Sequence, residues 1–133
     1  MAEYKALGLA HIGVKVENAK ASKDFYEKLG FVTDVEDLRP NGTYLVFMHA
    51  GSCILELIQP ADTSKLPACE GTFAHVCLEV RHIEQYVDYL KQLGIVKPDA
   101  QPQTLDLLGG VKNIFFAGPD GEQIELFDYY TKY

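Results

Sequence analysis

No stretch of this chain reaches the roughly 18 consecutive apolar residues that a membrane-spanning helix needs, so no transmembrane segment is expected. Met1 to Leu9 lacks the long apolar core of a secretory signal, and the expected location is the cytoplasm. Cysteine is scarce. Cys53, Cys69 and Cys77 form no CxxC or short-spaced zinc pattern, and an odd number in an unexported chain reads as reduced thiols. Basic charge is also in deficit: 12 Lys and Arg against 19 Asp and Glu leave a net charge of −7. Phosphate-backbone binding needs a concentrated basic surface, so nucleic acid is not an expected partner. A small anionic substrate would need only a local basic patch. Long runs of one charge sign are missing too, and 47% of the residues are apolar, which argues for a packed core rather than disorder. The length, 133 residues, suits one domain or two very small ones.

What the chain does contain is an internal repeat. Residues 9–31 read LAHIGVKVENAKASKDFYEKLGF and residues 73–95 read FAHVCLEVRHIEQYVDYLKQLGI. One constant shift aligns Ala10 with Ala74, His11 with His75, Val16 with Val80, Leu29 with Leu93 and Gly30 with Gly94. Each copy opens with alternating apolar residues, Ile12, Val14 and Val16 or Val76, Leu78 and Val80, which is the period of a strand. A helix follows. Asn18 is suited to cap the first, and Ala19, Ser22, Phe25, Tyr26 and Leu29 recur at helical spacing. Ile83, Tyr86, Val87, Leu90 and Leu93 do so in the second, and Gly30 and Gly94 sit where each helix should stop. Three strands are expected after each helix: Val32–Leu38, Thr43–Ala50 and Ser52–Gln59, then Val96–Gln101, Thr104–Ala117 interrupted at Gly109-Gly110, and Glu122–Tyr129. Pro119-Asp120-Gly121 marks the last turn, and Pro60–Gly71 links the halves. The expected architecture is α+β, a single domain over 1–133 made of two βαβββ modules at about 7–60 and 72–130.

Strand parity selects four residues. His11 lies on the face opposite Ile12, Val14 and Val16, and His75 lies identically in its half. On each closing strand a carboxylate sits between aliphatics: Leu55-Glu56-Leu57 and Ile124-Glu125-Leu126. An ionised Glu in so apolar a strand is costly unless it is paired or bound to a metal. A single His at a strand start is ordinarily hydrogen-bonded or exposed, and a single Glu on a strand ordinarily faces solvent. Duplication of both in register is what points to a shared metal site of His11, Glu56, His75 and Glu125. Two imidazoles and two carboxylates suit Zn²⁺, Ni²⁺, Co²⁺, Mn²⁺ or Fe²⁺ better than Cu⁺. His49 and His82 lack repeat partners, while Cys77, Glu79 and Lys15 share the face of the two His.

These motifs, HIGVKV, FYEKLGF, LELIQP, FAHVCLEV and FAGPDGEQIELFDY, resemble the vicinal oxygen chelate superfamily of glyoxalases, bleomycin-resistance proteins and extradiol dioxygenases. The resemblance covers nearly the whole chain. It implies paired βαβββ modules forming a cupped mixed sheet around a metal. The ligand pattern is similar to that of glyoxalase I (lactoylglutathione lyase), matching His11, Glu56, His75 and Glu125 in turn. It implies a metal-dependent isomerase, with Ni²⁺ or Zn²⁺ foremost, acting on the hemithioacetal of a 2-oxoaldehyde such as methylglyoxal through an enediolate. Glu56 or Glu125 would be the base, and the near-symmetric halves do not rank them. A homodimer is implied, with each site built from one chain or from two. The glutathione-binding positions of that family are not matched: an Arg is replaced by Lys15, an Asn by Gln59 and Pro60, and a Lys by Leu108. A different thiol adduct or a thioester therefore stays open as substrate. Alternative functions are a methylmalonyl-CoA epimerase-like enzyme, which would call for Gln at Glu56, and a metal-free drug-binding resistance protein. A ring-cleaving dioxygenase or a fosfomycin-type thiol transferase would leave Glu56 without a role.

Overall fold

The computed structural model describes residues 7, 9–64, 66, 75–106 and 108–130. Half of the Pro60–Gly71 linker, including Cys69, lies outside the described residues, as does Tyr133. The chain divides into two compact units, Met1–Ala68 and Cys69–Tyr133. The first contains β1 (Ile12–Lys15), α1 (Ala19–Lys28), β2 (Val32–Leu38), β3 (Tyr44–Ala50) and β4 (Cys53–Gln59). The second contains β5 (Val76–Glu79), α2 (Ile83–Gln92), β6 (Gln103–Leu105), β7 (Val111–Ala117) and β8 (Gln123–Tyr129). Both are βαβββ, as the repeat implied. Each folds one four-stranded mixed sheet, in the order β1-β4-β3-β2 or β5-β8-β7-β6. The opening strand pairs parallel with the closing strand, and the remaining pairs are antiparallel. No helix among the described residues is long and apolar enough to cross a membrane.

The period-2 alternation divides each sheet into two faces. In the first unit Leu55 and Leu57 on β4 pair with Met48 and Val46 on β3, and all four are buried with Ala19, Ser22 and Tyr26 of α1. In the second, Ile124, Leu126, Ile114 and Phe116 are buried with Ile83, Val87 and Leu90 of α2. The other face carries Gly13, Glu56 and Phe47 in one unit and Cys77, Glu125 and Phe115 in the other.

Helix ends follow the expected chemistry in part. Asn18 caps α1, its Oδ1 accepting the Ala21 N–H at 3.1 Å. Gly30 and Gly94 take φ of 96° and 74° where the helices stop. A cross-element cap adds to this in both units. The Gln59 side chain at the end of β4 accepts the Ala19 N–H at 2.8 Å, and Asp128 of β8 accepts the Ile83 N–H at 3.0 Å. These residues sit three places after Glu56 and Glu125, so each closing strand supplies both a carboxylate to one face and a helix cap to the other.

One expected strand is not formed. Val96–Gln101 is irregular, and the segment expected as a single interrupted strand, Thr104–Ala117, supplies two: β6, which begins at Gln103, and β7. Pro98 and Pro102 lack the N–H that a ladder requires, and the Ala100 N–H turns back to the Lys97 carbonyl at 3.0 Å. The break between β6 and β7 needs its glycines. Gly110 has φ of 103°, and a Cβ there would meet the Tyr130 ring at 2.5 Å.

At α2 the residue before the helix, His82, makes no side-chain cap, so Asp128 is the side-chain cap found among the described residues, whereas α1 has both Asn18 and Gln59. Asp128→Ala should cost about 1 kcal/mol, read as a lowered urea midpoint. Gln59→Ala should cost less, because Asn18 remains. Equal losses would mean that the two caps are not alternatives of this kind.

Candidate metal centre

Parallel pairing of the first and last strand of each unit brings His and Glu together. Register sets Gly13 against Glu56 and Cys77 against Glu125, with the His two residues before Gly13 or Cys77. His11 Nε2 lies 3.3 Å from Glu56 Oε1, and His75 Nε2 lies 3.1 Å from Glu125 Oε1. The imidazoles are partly exposed, 43% and 38%, while the carboxylates are largely covered, 18% and 8%. Each ring packs edge-on to a phenylalanine two strands away, on β3 or β7: His11 against Phe47 at 5.9 Å and 86°, His75 against Phe115 at 5.4 Å and 87°. The phenylalanines were not singled out from the sequence. The signal was available, because Leu45-Val46-Phe47-Met48 and Asn113-Ile114-Phe115-Phe116 occupy matching strands.

The pairs fit a divalent metal. Ligand atoms about 2.0–2.2 Å from one ion stand roughly 2.9–3.4 Å apart at octahedral or tetrahedral angles. The observed 3.3 and 3.1 Å fall in that range. The same distances also suit an ordinary His–Glu ion pair. Among the described residues no group of three or more His, Cys, Asp or Glu side chains is gathered around a metal position. Each unit carries one His–Glu pair.

The second half-site is the more elaborate. Glu125 Oε2 accepts a 2.7 Å hydrogen bond from Asn113 Nδ2 on β7, and Asn113 is buried. Asn113 was not anticipated, since its role depends on the β7–β8 register. The Cys77 thiol is pushed up to about 12, first by burial and then by the charge and hydrogen bonding of Glu125. It is therefore a protonated neighbour of the carboxylate and not a nucleophile at neutral pH. Other candidates stand apart. His49 hydrogen-bonds Asp34 at 2.7 Å across β3 and β2, His82 precedes α2, and Lys15 and Glu79 end their strands exposed.

A family model described as the Glyoxalase/Bleomycin resistance protein/Dioxygenase superfamily matches residues 8–126. The chain belongs to this superfamily. It is 32% identical over 122 residues to the uncharacterized protein YwbC of Bacillus subtilis (strain 168), covering 88% of this chain and 94% of that one. A solved glyoxalase family protein from Enterococcus faecalis is 30% identical, covers 91% of this chain and 97% of its own, and superposes with a TM-score of 0.75. A mutant fosfomycin resistance protein, FosX, from Listeria monocytogenes is 16% identical over 92% of each chain with a TM-score of 0.69, which shows a shared fold. That neighbour was solved with Mn(II) and 1S,2S-dihydroxypropylphosphonic acid.

The Cys77 environment is testable in metal-stripped protein. Iodoacetamide should label Cys77 very slowly at pH 7, with a rate that keeps climbing through pH 10 as thiolate forms. Glu125→Gln removes the charge that opposes thiolate and should speed labelling at fixed pH. An unchanged rate would place the Glu125 carboxylate out of reach of the thiol.

Proposed function

We propose that His11, Glu56, His75 and Glu125 together hold one divalent metal ion, Ni²⁺ or Zn²⁺ foremost and Co²⁺, Mn²⁺ or Fe²⁺ as other candidates. The chain is then a single-domain glyoxalase I-like lyase that isomerises the thiol adduct of a 2-oxoaldehyde. The observation that carries the reading is the duplicated His–Glu pair, 3.3 and 3.1 Å between ligating atoms, at matching places in two like sheets. All four residues have a role in this reading, whereas the dioxygenase, thiol-transferase and drug-binding readings leave Glu56 idle. The proposal includes a cytoplasmic homodimer, with the two pairs of a site drawn from one chain or from two.

The bound ion would supply Lewis-acid polarisation of the substrate oxygens. The chain supplies the proton carrier. A glutamate Oε takes the proton from the carbon that bears hydroxyl and sulfur, and returns it to the neighbouring carbonyl carbon. The hydroxyl proton passes to the second oxygen. The first carbon becomes a thioester carbonyl and the second a secondary alcohol, so the reaction needs no oxidant or reductant. Phe47 and Phe115 hold the imidazoles edge-on, which limits the ring rotation that would loosen binding.

The thiol is less closely specified. Gln59, which stands where glutathione-using relatives were expected to carry an Asn, uses its side-chain oxygen to cap α1. Lys15 offers a point charge rather than the bidentate fork of an Arg. These two features favour a thiol other than glutathione, or an acyl-CoA thioester undergoing epimerisation by the same proton transfer.

Protein stripped of metal and reloaded with Ni²⁺ or Zn²⁺ should turn over the methylglyoxal–glutathione hemithioacetal only when loaded. Stoichiometric metal without turnover would reject glutathione and direct the assay to acyl-CoA epimerisation. Failure to bind metal would leave the drug-binding reading. His75→Ala should lower metal content and activity together, and full retention of both would remove His75 from the centre.

A further inference from the structure

One hydrogen-bonded pair, His49 with Asp34, lies outside the two His–Glu pairs and belongs wholly to the first unit. On β3 the residues Leu45, Phe47 and His49 share a face, and Glu56 and Ile54 of β4 stand opposite Phe47 and His49. His49 is therefore the diagonal neighbour of Glu56. That relation sets the two positions roughly 7–8 Å apart and leaves both side chains within reach of one small molecule. The matching position in the second unit, opposite Gln123 and two residues after Phe115, holds Ala117. The scaffold itself thus needs no imidazole there.

A β-bulge brings the acid to the ring. On the edge strand β2, Val32 pairs with His49 and Thr33 with Met48, but the next pair is Val35 with Phe47, so Asp34 is the extra residue. A bulge of this kind re-aims a side chain. Here Asp34 Oδ2 lies 2.7 Å from His49 Nδ1. The two side chains are 43% and 41% exposed, and a pair so open to solvent adds little stability. What the pair does fix is the state of the ring. An ionised carboxylate only accepts hydrogen bonds, so Nδ1 carries the proton and Nε2 of the neutral ring keeps its lone pair. Val32 and Ile54, the ladder partners of His49, and Val35 are exposed apolar residues on the same face, which gives an organic ligand an apolar seat beside the ring.

The proposed isomerisation moves two protons. A glutamate moves the one on carbon. The other must leave the hydroxyl oxygen as its carbon becomes the thioester carbonyl, and must arrive on the oxygen of the neighbouring carbon. We propose that His49 carries this second proton. Nε2 takes it while the O–H electron pair becomes the second bond of the carbonyl. The imidazolium, faced by Asp34, then gives the proton to the second oxygen and returns to the neutral ring. Asp34 is a positioning residue, which sets the tautomer and faces the charge that forms on the ring. The inference rests on the isomerase reading above for its substrate, and every protein group that it adds lies in the first unit.

Two measurements on the full chain test it. Long-range ¹H–¹⁵N spectra at about pH 9, well above the ordinary imidazole range, read the tautomer directly. His49 should show a protonated Nδ1 and a bare Nε2, and Asp34→Ala should release the ring to a mixture. A protonated Nε2 in the wild-type chain would overturn the assignment. Turnover is then read on Ni²⁺-loaded protein with the hemithioacetals that methylglyoxal forms with glutathione and with cysteine. His49→Gln keeps a donor for Asp34 but cannot carry a proton, and should lower kcat about 10²–10⁴-fold with KM little changed. Asp34→Ala should lower kcat by a smaller factor. A His49→Gln protein as fast as wild type would overturn the relay and leave the isomerase reading intact. A wild-type protein that turns over neither hemithioacetal would overturn that reading, and the relay with it.

Discussion

An ionised carboxylate in the middle of an apolar strand is the constraint on which the rest of the structure turns. Glu56 and Glu125 lie on inner strands of their sheets, with aliphatic neighbours on both sides in sequence. Such a group is tolerated only where something offsets the loss of its hydration. The fold answers by parity. The aliphatics face a helix, the carboxylate faces the other way, and a His stands just before the parallel neighbour strand, at just over 3 Å from the carboxylate. Every larger feature serves that placement. The helix is the crossover that allows a parallel pair, and the closing strand caps the helix three residues after it presents the carboxylate.

Duplication turns one pair into two. A lone His–Glu pair is chemically ordinary and is a poor metal site, since two ligands seldom outcompete water. The chain carries two such pairs, one in each unit. The copies have nonetheless diverged where chemistry would benefit. Asn113 replaces the equivalent of Leu45, and Cys77 replaces the equivalent of Gly13, so polar neighbours cluster around Glu125 and not Glu56. A near-symmetric scaffold thereby carries two unlike carboxylates.

Membership of the superfamily narrows the chemistry without naming the substrate. The positions that the resemblance to glyoxalase I would assign to glutathione hold Lys15, Gln59 and Leu108 here, and Gln59 has a structural occupation of its own, capping α1.

The sequence by itself determined the repeat, the alternation and hence the four candidate ligands, because strand parity and helical period are local properties of consecutive residues. Asn18 as a cap and Gly30 and Gly94 as helix stops were legible for the same reason. It misplaced the first strand after α2, where apolar Val96 outweighed the two prolines that deny the ladder its donors. What only the tertiary structure decided were relations between strands distant in the chain. The β7–β8 register set Asn113 against Glu125, the turn of each closing strand carried Gln59 and Asp128 to a helix start, and the strand order put Phe47 and Phe115 against the imidazoles. Such pairings depend on register and loop geometry, and no local period in the sequence encodes them.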